Sequence, residues 1–210
     1  LYNFVGSDSV KTTVCDFSSK ELIKSIREGN VVAFPTETVY GIGVIYDSLE
    51  AFNNLVEAKR RSPDKPFTLM LSSKNQVEEF AILNQKAKKV VNHFMPGEIT
   101  ILVKYHDNLF PWVHLNSKYI GIRVSGKKEV CDLIHKVGKP MLVTSANISG
   151  EKTCVDFDSS YQVFEGKIPF IVKGETSSCL PSTIVICDEN LTLVRQGSIS
   201  FEDIKKVWED

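Results

Sequence analysis

The sequence is poor in the features that mark several large classes of protein. It has no apolar run of the ~18–20 residues that a membrane-spanning helix needs, and no charged-then-apolar leader at its start. Cysteine is sparse and odd in number: Cys15, Cys131, Cys154, Cys179 and Cys187, with no two in a CxxC pair. That argues against a zinc ribbon and a disulfide framework, and for reduced thiols in a cytoplasmic protein. His93, His106, His114 and His135 lack HExxH or similar ligand spacing, so no protein-built metal site is expected. Neither sign of charge dominates: Lys+Arg 25 against Asp+Glu 26 leaves a net charge of −1. This excludes a polybasic, histone-like chain. Any contact with a nucleotide or nucleic acid must come from a local cluster of cations. A GxGxxG fingerprint, a Walker A loop and a GxSxG elbow are also missing, as are internal repeats and low-complexity stretches.

What is present is a globular composition, 42% hydrophobic and 24% charged over 210 residues. A chain of this size buries roughly 70% of its unfolded surface and needs no staple. One domain over residues 1–210 is expected. Helix-like and strand-like segments alternate, which indicates an α/β or α+β fold. Leu22, Ile23 and Ile26 form an apolar stripe over residues 18–28, with Ser18 or Ser19 as N-cap and Gly29 as stop. Leu49, Phe52, Leu55 and Val56 do the same over 49–60. Residues 75–94 suggest two helices meeting near Asn84, and further helices are predicted at 127–136 and 200–208. Strands are predicted at 30–34, 67–72, 98–104, 119–124, 140–144, 168–172, 182–187 and 191–195.

The chemistry-bearing residues follow the strands, where ligands bind in open α/β sheets. In FPTETVYGIG (34–43) a strand runs into hydroxyls, a carboxylate and two glycines. If extended, it would point Thr36, Thr38 and Tyr40 to one face, while Gly41 and Gly43 would let a ligand or another backbone approach. In AKRRSPDKPFTLML (58–71) a helix ends in Lys59, Arg60 and Arg61, then Pro63, Lys65 and Pro66 stiffen the loop. Cations at a helix C-terminus suit the helix dipole; held at one spot they also suit a polyphosphate. VTSANISG (143–150) offers Thr144, Ser145, Asn147 and Ser149 as hydrogen-bonding groups, or simply as a hydroxyl-rich turn. IGIRVSG (120–126) places Arg123 inside a strand, where it needs an anionic partner, from the protein or from a substrate. LPSTIVIC (180–187) and LVRQGSIS (193–200) add Ser182, Thr183 and Arg195.

Taken in order, PTETVYGIG, K-x-R before a Pro-Lys-Pro loop, PGEITILV, IGIRV, SANISG, PSTIV and RQG resemble the YrdC/TsaC family of threonylcarbamoyl-AMP synthases, over about residues 20–200. The resemblance implies a twisted, mostly mixed β-sheet flanked by helices, with a deep concave cleft. It implies synthesis of threonylcarbamoyl-AMP and pyrophosphate from L-threonine, bicarbonate or carbon dioxide, and ATP. A threonylcarbamoyl transferase complex would then modify adenosine 37 of tRNAs reading ANN codons. Carried over residue by residue, it implies that Lys59, Arg61 and Arg195 hold ATP phosphates, with Lys65 as helper. Ser145 and Asn147 would fix the nucleotide. Thr36, Thr38, Arg123 and Ser182 would hold threonine, and Thr183 adds a further hydroxyl. Mg²⁺ would be bound mainly through the phosphates. The chain departs from the family where relatives carry Gly-Arg-Pro, here Arg60-Arg61-Ser62, and where they carry a histidine, here Met70. Met70 cannot donate a hydrogen bond to threonine. With its last residue at Asp210, the chain would be expected to be the short form of the family. The competing expectation is a module that binds tRNA or double-stranded RNA in a basic cleft without chemistry; such binding would weaken steeply with salt and ignore threonine.

Overall fold

Helices and strands alternate along the chain in a computed structural model that describes residues 9–62 and 64–210; Pro63 lies outside the described residues. The elements are β1 (Thr13–Cys15), α1 (Lys20–Arg27), β2 (Val32–Pro35), β3 (Tyr40–Ile45), α2 (Leu49–Lys59), β4 (Thr68–Leu71), α3 (Val77–Phe80), β5 (Ala81–Ile82), α4 (Gln85–Phe94) and β6 (Ile99–Tyr105). They continue with α5 (Pro111–His114), β7 (Ile120–Val124), α6 (Lys128–Val137), β8 (Met141–Ser145), α7 (Phe157–Phe164), β9 (Phe170–Val172), β10 (Thr183–Cys187), β11 (Leu191–Arg195) and α8 (Phe201–Glu209). Among the described residues no helix is long and apolar enough to cross a membrane.

The helices form where the sequence supplies both a cap and an apolar stripe. The Ser19 hydroxyl accepts from the Leu22 backbone N–H, α1 buries Leu22 and Ile26, and Gly29 at φ 91° ends the turn. Ser48 caps α2 through the Ala51 N–H. That helix stops at Arg60, whose left-handed φ of 50° separates the directions taken by Lys59 and Arg61. The two helices expected over residues 75–94 are a 3-10 turn, Lys74–Gln76, that runs into α3, and α4, capped by Asn84; the two residues of β5 separate them.

The strands make one mixed sheet in the order β1-β9-β2-β3-β8-β4-β7-β6-β10-β11, with β5 pairing β6 off this path. β2, β3 and β7 are buried along their whole length, the pattern of strands covered on both faces. α1 packs with α6 and α4 with α8. The glycines of YGIG serve close backbone packing. A Cβ on residue 43 would lie 2.8 Å from the Leu142 carbonyl oxygen of the neighbouring strand.

The expectation of an extended run through Thr36, Thr38 and Tyr40 is corrected. The chain reverses over residues 36–39, with the Thr36 N–H donating to the Val39 carbonyl (3.2 Å) and Pro35 paired with Tyr40. β2 and β3 are thus a hairpin. Tyr40 lines the same cavity as Thr36 and Thr38, but its hydroxyl is engaged elsewhere, donating to the Val172 carbonyl at 2.7 Å. β1, β3, β5, α5 and α7 are further elements beyond the sequence prediction.

Candidate functional site: a cation-lined cleft across the sheet

One row of register partners crosses seven adjacent strands. Gly41 pairs with Ser145, Val143 with Thr68, Met70 with Arg123, Thr100 with Ile184, and Ile184 with Arg195. All of these residues line a cavity of about 160 Å³, walled by Thr36 and Thr38 on one side and by Pro181 and Ser182 on another. The sheet thus gathers Thr36, Thr38, Arg123, Ser145, Ser182 and Arg195 into one hollow from positions far apart in the chain.

Arg123 is buried on β7. Its Nη2 donates to Glu37 in an ion pair and to Thr38 Oγ1 at 3.1 Å, while its Nε is buried with no partner. Burial pulls its pKa down and Glu37 opposes that. Thr38 Oγ1 lies 2.8 Å from Thr36 Oγ1, so the hairpin turn achieves the convergence of hydroxyls that an extended strand would have. Across the cavity, Thr100 Oγ1 and Ser182 Oγ are 2.7 Å apart. Arg195 stands at the exposed rim and donates through Nε (3.0 Å) and Nη2 (2.9 Å) to the Ser182 carbonyl. Partial burial, and then the positive charge of Arg123, lower its pKa. Two guanidinium groups therefore face the same space.

Lys59 comes from behind the wall. It is buried, and its Nζ donates to the Ser145 carbonyl (2.7 Å), to Ser145 Oγ (3.2 Å) and to Asn147 Oδ1. All three ammonium protons meet neutral acceptors. Burial, reinforced by Arg61, lowers its pKa to about 8. Asn147 is itself saturated: Oδ1 also accepts from Ser145 Oγ at 2.8 Å, and Nδ2 donates to the carbonyls of Ile148 and Glu151. Lys59 and Asn147 thus reach the cavity through Ser145. Arg61 is not in the wall. Its Nη2 donates to the Lys65 carbonyl at 2.5 Å and its guanidinium lies 4.8 Å from the Phe67 ring centroid. Lys65 is exposed on the same loop. Thr183 turns away, donating to the Ile199 carbonyl at 2.6 Å and accepting from the Gly197 N–H.

The ion pairs among the described residues leave Lys59, Arg61 and Arg195 without a carboxylate partner. Arg195, Lys59 behind Ser145 and the buried Arg123, set among hydroxyls, make an anion site, with Arg61 outside its wall. Sequence reasoning missed Glu37, Thr68, Thr100 and Thr153 as parts of this region. The signal for Glu37 was available: it is the one carboxylate in a motif otherwise made of hydroxyls and apolar residues, and Arg123 required an anionic partner.

A family model, Sua5_yciO_yrdC, described as telomere recombination, matches residues 24–197. A threonylcarbamoyl-AMP synthase of Bacillus subtilis is 33% identical over 87% of this chain, which spans 54% of that relative's length. One of Buchnera aphidicola is 30% identical over 86% of this chain and 98% of its own. The crystal structure of P. abyssi Sua5 complexed with L-threonine superposes with a TM-score of 0.87 at 29% identity, over 93% of this chain and 61% of that one. The family match over residues 24–197 and these similarities along most of its length show that the chain belongs to the Sua5/YciO/YrdC family.

Proposed function

We propose that this chain is a threonylcarbamoyl-AMP synthase. The observation that carries the reading is electrostatic: Arg123, Arg195 and, through Ser145, Lys59 converge on one hollow, and among the described residues neither Arg195 nor Lys59 has an acid partner. Such a site suits two anionic substrates side by side. The enclosed part, about 160 Å³, is below the ~300–1,000 Å³ of a drug-sized pocket. It fits a small amino acid, with the nucleotide lying in the open cleft beside it. Arg123 takes the threonine carboxylate, with Thr36, Thr38 and Ser182 at hand for its polar groups. The chain carrying this site is matched along its length by the P. abyssi structure that holds L-threonine.

The reaction joins these parts. The threonine amine adds to carbon dioxide, supplied as bicarbonate, and gives a carbamate. A carbamate oxygen attacks the α-phosphorus of ATP, the bond from that phosphorus to the bridging oxygen breaks, and pyrophosphate leaves. Negative charge gathers on the attacking oxygen, the α-phosphate and the leaving group. Fixed cations that need no reorganisation lower that barrier. Lys59 and Arg195 serve this role, with Arg61 and Lys65 at the outer end of the triphosphate; Ser145 and Asn147 fix the nucleotide by holding Lys59. Among the described residues no group of three or more His, Cys, Asp or Glu could hold a metal ion. Mg²⁺ would therefore ride on the phosphates and water. The product passes to a threonylcarbamoyl transferase complex acting on tRNA.

The test is pyrophosphate release by the purified protein with ATP, Mg²⁺, bicarbonate and L-threonine. Release that depends on threonine is expected. ATP turnover that ignores threonine, or none at all, would overturn the reading.

A further inference from the structure

Glu37 sits at the tip of the β2–β3 hairpin, with its side chain 14% exposed and its carboxylate held by polar partners. Oε1 accepts from Arg123 Nη2 and from Ser125 Oγ (3.0 Å), and Oε2 accepts from the Gly126 N–H. The residue's own carbonyl accepts from the N–H groups of Ser177 (3.1 Å) and Ser178 (3.0 Å), and the next carbonyl, that of Thr38, accepts from Cys179 (3.0 Å). The segment so tied continues into Pro181 and Ser182, which wall the cavity. Glu37 is absent from the cavity wall and faces a separate groove beside Gly97, Glu98 and Gly126. It thus grips Arg123 from the side away from the ligand space.

Two details show that the local backbone is fitted to this carboxylate. A Cβ on residue 126 would lie 2.5 Å from Glu37 Oε2, so any other residue there would push this carboxylate oxygen aside. Arg123 also spends only Nη2 on protein acceptors, and its buried Nε has none. A buried donor without a partner is costly, and a ligand carboxylate would relieve it. We infer that Glu37 is a positioning residue for the synthase reaction: it fixes the Arg123 guanidinium so that its free N–H groups meet the substrate carboxylate. This rests on the function proposed above. Glu37 itself touches no substrate.

The experiment compares E37Q, E37D and G126A with wild type by calorimetry with L-threonine and with ATP, and by the KM and kcat of threonine-dependent pyrophosphate release. The amide of E37Q cannot accept at both ends, so it must turn a donor against either Arg123 or Gly126. E37Q should weaken threonine binding roughly tenfold or more and raise its KM, with ATP binding within about twofold and kcat at saturation less affected. E37D keeps the charge and should recover part of the loss. Where E37Q fails to fold, G126A carries the test, since it displaces the carboxylate without removing it and should give the same threonine-selective loss. Unchanged threonine binding in the variants, or equal weakening of threonine and ATP, overturns the assignment. A wild type that neither binds threonine nor releases pyrophosphate overturns the synthase reading, and this assignment with it.

Discussion

Lys59 offers the sharpest perturbation, because its charge titrates within reach of experiment while that of an arginine does not. Burial and the neighbouring Arg61 bring its pKa to about 8. It meets no carboxylate, only the Ser145 carbonyl, Ser145 Oγ and Asn147 Oδ1. An ATP phosphate would bind the charged form and pull its pKa back up. Above roughly pH 8 the free protein must take up a proton to bind, so ATP affinity should fall by up to roughly tenfold per pH unit until the pKa of the complex is reached. Calorimetric titration with ATP alone avoids the threonine amine, which titrates in the same range. K59R stays charged throughout and should bind ATP with no break near pH 8; K59M should bind weakly with no break. The fold carries the same signature. Lys59 is lowered from its ordinary 10.5 to about 8, so between those values the unfolded chain binds more protons and stability rises with pH. The stability of wild type minus that of K59M should therefore climb from about pH 8 to 10.5 and be flat below. A break at the same pH in K59R, or a flat difference across that window, would refute the argument.

Other perturbations separate the remaining roles. R123A should abolish measurable threonine binding and also cost about 3–5 kcal/mol of stability, because the largely buried Glu37 carboxylate loses its counter-ion and keeps only the neutral donors of Ser125 and Gly126; R123A retaining wild-type threonine affinity in calorimetry would remove it from the site. Y40F should lower urea-measured stability by ~1–3 kcal/mol through the lost bond to the Val172 carbonyl, while threonine and ATP affinities stay within about twofold; a large affinity loss would mean that the Tyr40 hydroxyl, and not only its ring, serves the ligand. I122A, at a fully buried position between β4 and β6, should cost ~2–5 kcal/mol in the same denaturation assay. A loss under ~1 kcal/mol would mean that the sheet's centre is not packed as described.

Much of the fold was legible because its larger elements carry strong periodic signals. The apolar stripes of α1, α2, α6 and α8, with serine caps on three of them, fall where the sequence puts them to within two residues or so. β4, β6, β7, β8, β10 and β11 are similarly placed. The missed elements lack such signals. β3 reads Tyr-Gly-Ile-Gly-Val-Ile, and its glycines look like turn residues; they are there because β8 lies too close for a Cβ at residue 43. α7 carries Asp158, Ser159 and Ser160 in its first turns, and is held by the Asp156–Ser159 capping box instead of a long stripe. The extended reading of residues 36–40 failed because a hairpin turn and a strand both bring alternate hydroxyls together, and only the Pro35–Tyr40 pairing tells them apart.

The site was legible as a set of residue types but not as a geometry, and the reason is the physics of buried charge. A sequence shows that Arg123 in an apolar strand must find an anion; it cannot show that the anion is Glu37, 86 residues away. Once that pair is placed, the remaining charges acquire meaning. Arg123 is already neutralised by Glu37, whereas among the described residues Lys59 and Arg195 meet only carbonyl, hydroxyl and amide oxygens. Those neutral acceptors satisfy the donors without cancelling the charge, and beyond the effect of burial Arg61 lowers the pKa of Lys59 and Arg123 that of Arg195. A fold that served stability alone would have no use for such repulsion. Under the function proposed above, an anionic ligand arriving in the hollow would turn each of these unfavourable interactions into a favourable one. Affinity would thereby be stored as electrostatic strain in the empty protein, and released most fully where negative charge is densest, at the phosphates of the nucleotide and its departing pyrophosphate.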